Sequence, residues 1–129
     1  MNIFETTDPL GHKVVLTESQ YENHILGDHP NERQMRELVT FFAESVLSDP
    51  EIIIKTVSEE KNIPRYNYEG NKEIKKGRIM AISVITSVSD DPEGINEVIT
   101  VIPKLTMTAI MPDGSTQGGG EVIYERSAD

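Results

Sequence analysis

A change of period at residue 50 does most to limit how this chain can fold. Before it, Met35, Leu38, Val39, Phe42, Ala43, Val46 and Leu47 recur at i, i+3, i+4, i+7, i+8, i+11 and i+12, one continuous apolar stripe on a helix. "SDP" at 48–50 ends it, because proline lacks an N–H and biases the preceding residue away from helical dihedrals. Beyond it lie the β-branched runs "EIIIKTV", "RIMAISVITSV" and "EVITVI", residue types that suit a pleated, half-buried surface.

Local signals fill in the rest. "DPLG" is a turn and "GHKVVLTESQ" a short strand, with Thr17 as the cap of a first helix. Thr17 and Gln20 have the spacing of a capping box. That helix runs to about Leu26, Gly27 stops it, and "DHPN" links it to a second helix starting near Glu32. "EIIIKTVS" and "IPRYNYEG" form a hairpin across "EEKN"; "NKEIKKG" is a charged connection, and "SDDPEGIN" returns the chain to "EVITVIPKL". In the last segment "PDG" marks a turn, "GGG" permits positive φ, and "EVIYE" alternates like an edge strand. At 129 residues the expectation is a single α+β domain spanning 1–129. Two helices occupy its N-terminal part, the rest of the chain is sheet, and an antiparallel meander is the economical topology.

Composition narrows the setting. No run approaches the ~18–20 apolar residues of a membrane span, and "MNIFETTDPLGHK" lacks a basic region followed by an apolar one, so a cytoplasmic protein without membrane contact is expected. With no cysteine there are no disulfides and no thiolate ligands. The net charge of −10 opposes polyanion binding, but residues 55–78 hold seven basic side chains against four acidic ones, a net of +3, leaving −13 elsewhere. That stretch is either a phosphate path or a solvated hairpin.

His24 and His29 stand out in "YENHILGDHPNE", with Asp28 and Glu32 beside them. They lack the i, i+4 spacing of a helical zinc site, so no metal or cofactor is expected. A structural helix joint and an acid/base pair both remain open. Metal-independent ribonuclease chemistry needs a base for the 2′-hydroxyl, an acid for the leaving oxygen and cations or donors at the phosphate. His24 or His29 could move the proton, Lys55 and Arg65 could neutralise the phosphate, and Thr100 or Tyr66 could donate hydrogen bonds. Strand alternation puts Lys55 on one face with Ile53 and Val57, so simple snorkelling competes with function. It also puts Arg65, Asn67 and Glu69 on one face of the hairpin and Tyr66 and Tyr68 on the other. Tyr66, Tyr68, Lys75 and Arg78 are the candidate substrate contacts, and a plain edge hairpin is the competing reading.

The order "DPLGHKVVLTESQYENHILGDHP", "VLSDPEIII", a tyrosine hairpin, "EVITVI" and "GGEVIYER" resembles the phage- and mobile-element-associated branch of the barnase, EndoU, colicin and RelE-like superfamily of small ribonucleases. The similarity spans about residues 4–126. It implies an α+β fold with two N-terminal helices packed on a mainly antiparallel sheet of about four strands, whose exposed face carries the active site, with Thr17, His24, His29, Pro30, Pro50, Lys55, Arg65, Tyr66 and Thr100 at matching positions. RNA, tRNA among the candidates, is the implied substrate. An inhibitor protein is a candidate partner, and the "EVIYE" edge could pair with a second copy. Three departures stand out: Tyr21 in place of a tryptophan, Asn31 between the proline and Glu32, and Val101 in place of a tyrosine, which removes one hydroxyl donor. The alternative function is a non-catalytic module that binds a protein or small ligand.

Overall fold

The computed structural model describes residues 1–57 and 61–126; Ser58, Glu59 and Glu60, part of the stretch expected to turn at "EEKN", lie outside them. The described strands are β1 (Asn2–Thr7), β2 (Lys13–Thr17), β3 (Ile52–Val57), β4 (Pro64–Lys75), β5 (Arg78–Ser87), β6 (Ile95–Lys104) and β7 (Glu121–Glu125). They form one sheet in the order β1-β2-β6-β5-β4-β3-β7. β3 to β6 run as an antiparallel meander, whereas β2 lies parallel to β6. β1 and β7 are the antiparallel edges.

The expected frame of two helices on about four mainly antiparallel strands is therefore corrected to a mixed sheet of seven strands with short helices. The physical reason lies at the sheet's edges: β2 and β7, both legible as short strands, join the same sheet beside β6 and β3, and β1, which leaves Asn2, Ile3, Glu5 and Thr7 exposed, adds one more. β4 also continues through "NKEIK", charged and largely open to solvent, which lengthens it without adding a strand. A strand with little buried surface needs no apolar alternation.

The helical layer is also more broken than expected. Gln20 N–H donates to Thr17 Oγ1 (3.1 Å) and opens α1 (Glu18–Gln20), which widens at once into a π-helical turn over Tyr21–Leu26. Both Ile25 and Leu26 are buried by it. Gly27 keeps helical dihedrals, φ −66°, instead of taking the left-handed stop. A 3₁₀ turn at Pro30–Glu32 leads into α2 (Arg33–Phe41), and Phe42 separates α2 from α3 (Ala43–Ser48). The apolar stripe survives this break because Phe42 itself stays in the right-handed helical region, φ −92° and ψ −5°.

One face of the sheet packs on these helices. Ile53, Tyr68, Ile82, Val84, Val98 and Val101 from the sheet meet Ile25, Val39, Ala43, Val46 and Leu47, with Val14 and Leu16 of β2 in the same core. Each fully buried aliphatic side chain here contributes about 1.5–3 kcal/mol. α3 touches β1 as well as β4 and β5, so the sheet curls around it and its edge hairpin bends toward β4. β2 pairs with β6 only along Ile95–Glu97. Farther along β6, Gln20 Nε2 donates to Ile99 O (2.8 Å) and Arg36 Nη1 to Val101 O (2.6 Å). The helical layer thus satisfies carbonyls that β2 does not reach.

The other face is partly covered by residues 105–120, held by Glu69. This fully buried carboxylate accepts from Thr108 N–H (2.6 Å), Thr108 Oγ1 (2.6 Å), Asn67 Nδ2 (2.7 Å) and Lys104 Nζ (3.1 Å). Asn67 in turn accepts from Ser83 Oγ. Gly120 closes the cover: a Cβ there would collide with Ile54 Cγ2, so the backbone can lie flat on β3 only without a side chain.

Candidate functional site

Where the β1–β2 hairpin bends toward β4, a titratable cluster forms that the sequence does not advertise. Asp8 begins the turn: its Oδ1 accepts from Leu10 N–H (2.9 Å) and His12 N–H (2.8 Å), the local carboxylate bonds that favour aspartate in turns. Its Oδ2 takes His12 Nδ1 (2.9 Å) and the Tyr68 hydroxyl (2.5 Å). The carboxylate thus joins the turn to a strand 60 residues away in sequence. Tyr68 is wholly buried, and burial, followed by the hydrogen bond to Asp8 and the Asp8 charge, pushes its pKa far above the ordinary phenol value. It stays a neutral donor. Replacing Tyr68 with Phe removes one of the donors to a buried carboxylate and should lower unfolding free energy by about 1–2 kcal/mol, read from urea denaturation.

His12 is the group in this cluster that can act. Its side chain is 27% exposed, its Nδ1 is occupied by Asp8, and its ring lies against Tyr66, centroids 5.4 Å apart at 38°. With Nδ1 held by a carboxylate, the imidazole is oriented and Nε2 is the nitrogen left for proton transfer. Tyr66 packs edge-on against Tyr68 at 6.3 Å, and burial, then the Asp8 charge, raises its pKa as well. Across the ladder Tyr66 pairs with Lys55 of β3, whose side chain is exposed and which faces Glu121 on its other side. Directly opposed residues bring their Cβ atoms within about 5 Å, so Lys55 and His12 flank the same tyrosine.

The other sequence candidates are distributed elsewhere. Tyr66, Tyr68 and Lys55 share the helix-facing side, whereas Arg65 pairs with Ser87 and Thr100 with Ile85 on the opposite face. His24 projects from the helical layer that rests on β6, with Asp28 at 3.3 Å, and His29 meets Glu32 at 3.5 Å. β5 and β4 lie between β6 and Lys55 of β3, so the structure does not gather His24 or His29 with Lys55, nor with Arg65 on the far face. Among the described residues no group of three or more His, Cys, Asp or Glu converges as metal ligands would. Lys75 and Arg78 close the β4–β5 hairpin, about 30 Å from Tyr66 at ~3.3 Å per strand residue.

Asp8 and His12 are the functional candidates that pattern reading passed over. The signal was short: an acid four residues before a histidine within "DPLGH", a turn that Gly11 closes at φ +91°. Nothing local announces Tyr68 as the third member.

Comparison with family models, curated proteins and solved structures finds no match for the chain.

Proposed function

We propose that this chain is a cytoplasmic, metal-independent RNA-cleaving domain in which His12, held by Asp8, moves the proton. The observation that carries the reading is the 2.9 Å Asp8–His12 contact on a partly exposed ring, with Tyr66 tilted against that ring and Lys55 opposite Tyr66 across the ladder. In the reaction His12 Nε2 takes the proton of a ribose 2′-hydroxyl, whose oxygen attacks the adjacent phosphorus. The bond from phosphorus to the 5′ oxygen breaks, that oxygen takes a proton from solvent, and a 2′,3′-cyclic phosphate remains. Lys55 balances charge on the phosphoryl oxygens, and Tyr66 offers a ring face for a base.

A second reading, a non-catalytic module of this fold that binds a protein or small ligand, is favoured by the other role of Asp8: both its oxygens are engaged in tying the β1–β2 turn to β4. Incubating the protein with tRNA and mixed-sequence oligoribonucleotides in excess EDTA separates the two. The ribonuclease reading predicts products ending in 2′,3′-cyclic phosphate. Intact RNA, or cutting that chelation abolishes, contradicts it.

A further inference from the structure

The positive charge of the chain resolves onto one projecting element. β4 pairs with β3 only as far as Glu69, and β5 with β6 only from Ala81 onward. Between these limits Lys72 to Met80 form a two-stranded arm without a third strand, pairing Lys72 with Met80, Glu73 with Ile79 and Lys75 with Arg78. Gly77 turns its tip at φ +80°, and Gly77 N–H donates to Glu73 Oε1 (2.9 Å). The arm carries Lys72, Lys75, Lys76 and Arg78 against Glu73 alone, a net of +3, so the remainder of the chain holds −13. Lys55, Lys61 and Arg65 are offset in number by Glu59, Glu60 and Glu69, so the basic excess of residues 55–78 belongs to the arm.

These cations have little to do inside the molecule. Lys72 Nζ reaches Ser45 Oγ (2.7 Å), but among the described residues Lys75, Lys76 and Arg78 form no ion pair. All three are exposed, as is Ile79 at 70%. Three unpaired cations on a free ribbon, attached to an acidic body, constitute an electrostatic handle. A polyanion is drawn to the arm and repelled by the rest.

We propose that the β4–β5 arm grips the phosphate backbone of single-stranded RNA at a point about 30 Å from His12, so that only strands long enough to reach both places are held tightly. This rests on the proposed ribonuclease reading for the identity of the ligand, but binding and cleavage are measured separately. The probe is a labelled 20-nucleotide 2′-O-methyl RNA, which has no free 2′-hydroxyl to react, titrated with the full chain at several salt concentrations. At ~0.7 counterions released per contact on single strands, Lys75→Ala/Lys76→Ala/Arg78→Ala should reduce the slope of log K against log salt by about 2. Affinity near 0.1 M salt should then fall by about 100-fold.

Arg33→Ala, which removes a cation on α2 paired with Glu37, should leave the slope unchanged. Thermal melting establishes that the arm variant remains folded. Arm-dependent binding without any cleavage of unmodified RNA would uphold the arm and remove the ribonuclease reading. An unchanged salt slope would overturn the arm proposal. So would arm-dependent capture by vesicles rich in phosphatidylserine with no RNA binding, which would reassign the arm to an anionic membrane surface.

Discussion

His12→Ala should reduce the rate of RNA cleavage by about 10²- to 10⁴-fold, the usual contribution of a positioned proton-transfer group, while His24→Ala and His29→Ala change it by no more than roughly threefold. The contrast follows from surroundings and not from residue type. His12 is fixed on Nδ1 by a carboxylate that is itself tied to a buried tyrosine, so its ring is held before substrate arrives. His24 and His29 contact their acids at 3.3 and 3.5 Å on the outside of the helical layer, where long, exposed pairs hold a ring weakly. His12→Ala costs little packing, since the ring is partly exposed, and the melting temperature should separate lost chemistry from lost fold. Cleavage that survives His12→Ala but not His24→Ala would transfer the proton-transfer role to the helical layer.

The largest expected effect on stability is at Glu69. Glu69→Ala should destabilise the fold by about 3 kcal/mol, because the substitution leaves a buried void, strands Asn67 Nδ2 and the Thr108 N–H, and deprives Lys104 of its carboxylate. The lower end of the range for broken buried pairs applies, since Lys104 is about one-third exposed and can turn toward water. Burial alone would push the Glu69 pKa up; the Thr108 hydroxyl and amide and the Lys104 ammonium outweigh it and bring the net value below the ordinary glutamate range. A depressed folded-state value means that the charged carboxylate adds stability above the unfolded-state pKa. The contribution drains away as pH falls through the folded value. Urea midpoints of the wild type and of Glu69→Gln should therefore converge on acidification. Hydrogen exchange in residues 105–120 should accelerate in Glu69→Ala, because Thr108 is anchored to that carboxylate. Equal midpoints for wild type and Glu69→Ala would show that the network carries no net energy.

What could be read from the sequence follows what each residue buries. The stripe from Met35 to Leu47 and the runs at Ile52–Val57, Arg78–Ser87 and Ile95–Lys104 have apolar surface to hide, and their periodicity reports it. β1 and the outer half of β4 lie largely in solvent, so hydrophobic alternation does not reveal them, and that β2 and β7 join the same sheet depends on pairing between distant segments. The parallel placement of β2 beside β6 joins Lys13–Val15 to Ile95–Glu97, a contact between distant segments that no local spacing encodes.

The site shows the same division. Alternation correctly separated Tyr66 and Tyr68 from Arg65, Asn67 and Glu69, and placed Lys55 with Ile53. It could not show that a turn at residues 8–12 would come to rest on those tyrosines, because that depends on how far the sheet curls around α3. "YENHILGDHPNE" drew attention through two histidines and two acids. "DPLGH" contains the acid and imidazole that the fold locks together.

The most direct measurement is histidine-selective NMR of the ring resonances while the chain is titrated with a short 2′-O-methyl RNA. A ring of His12 that shifts on binding, with Tyr66 moving alongside and His24 and His29 unaffected, is the predicted result. Shifts confined to His24 or His29, with His12 and Tyr66 unmoved at saturation, would contradict the assignment of the site to the Asp8–His12 turn.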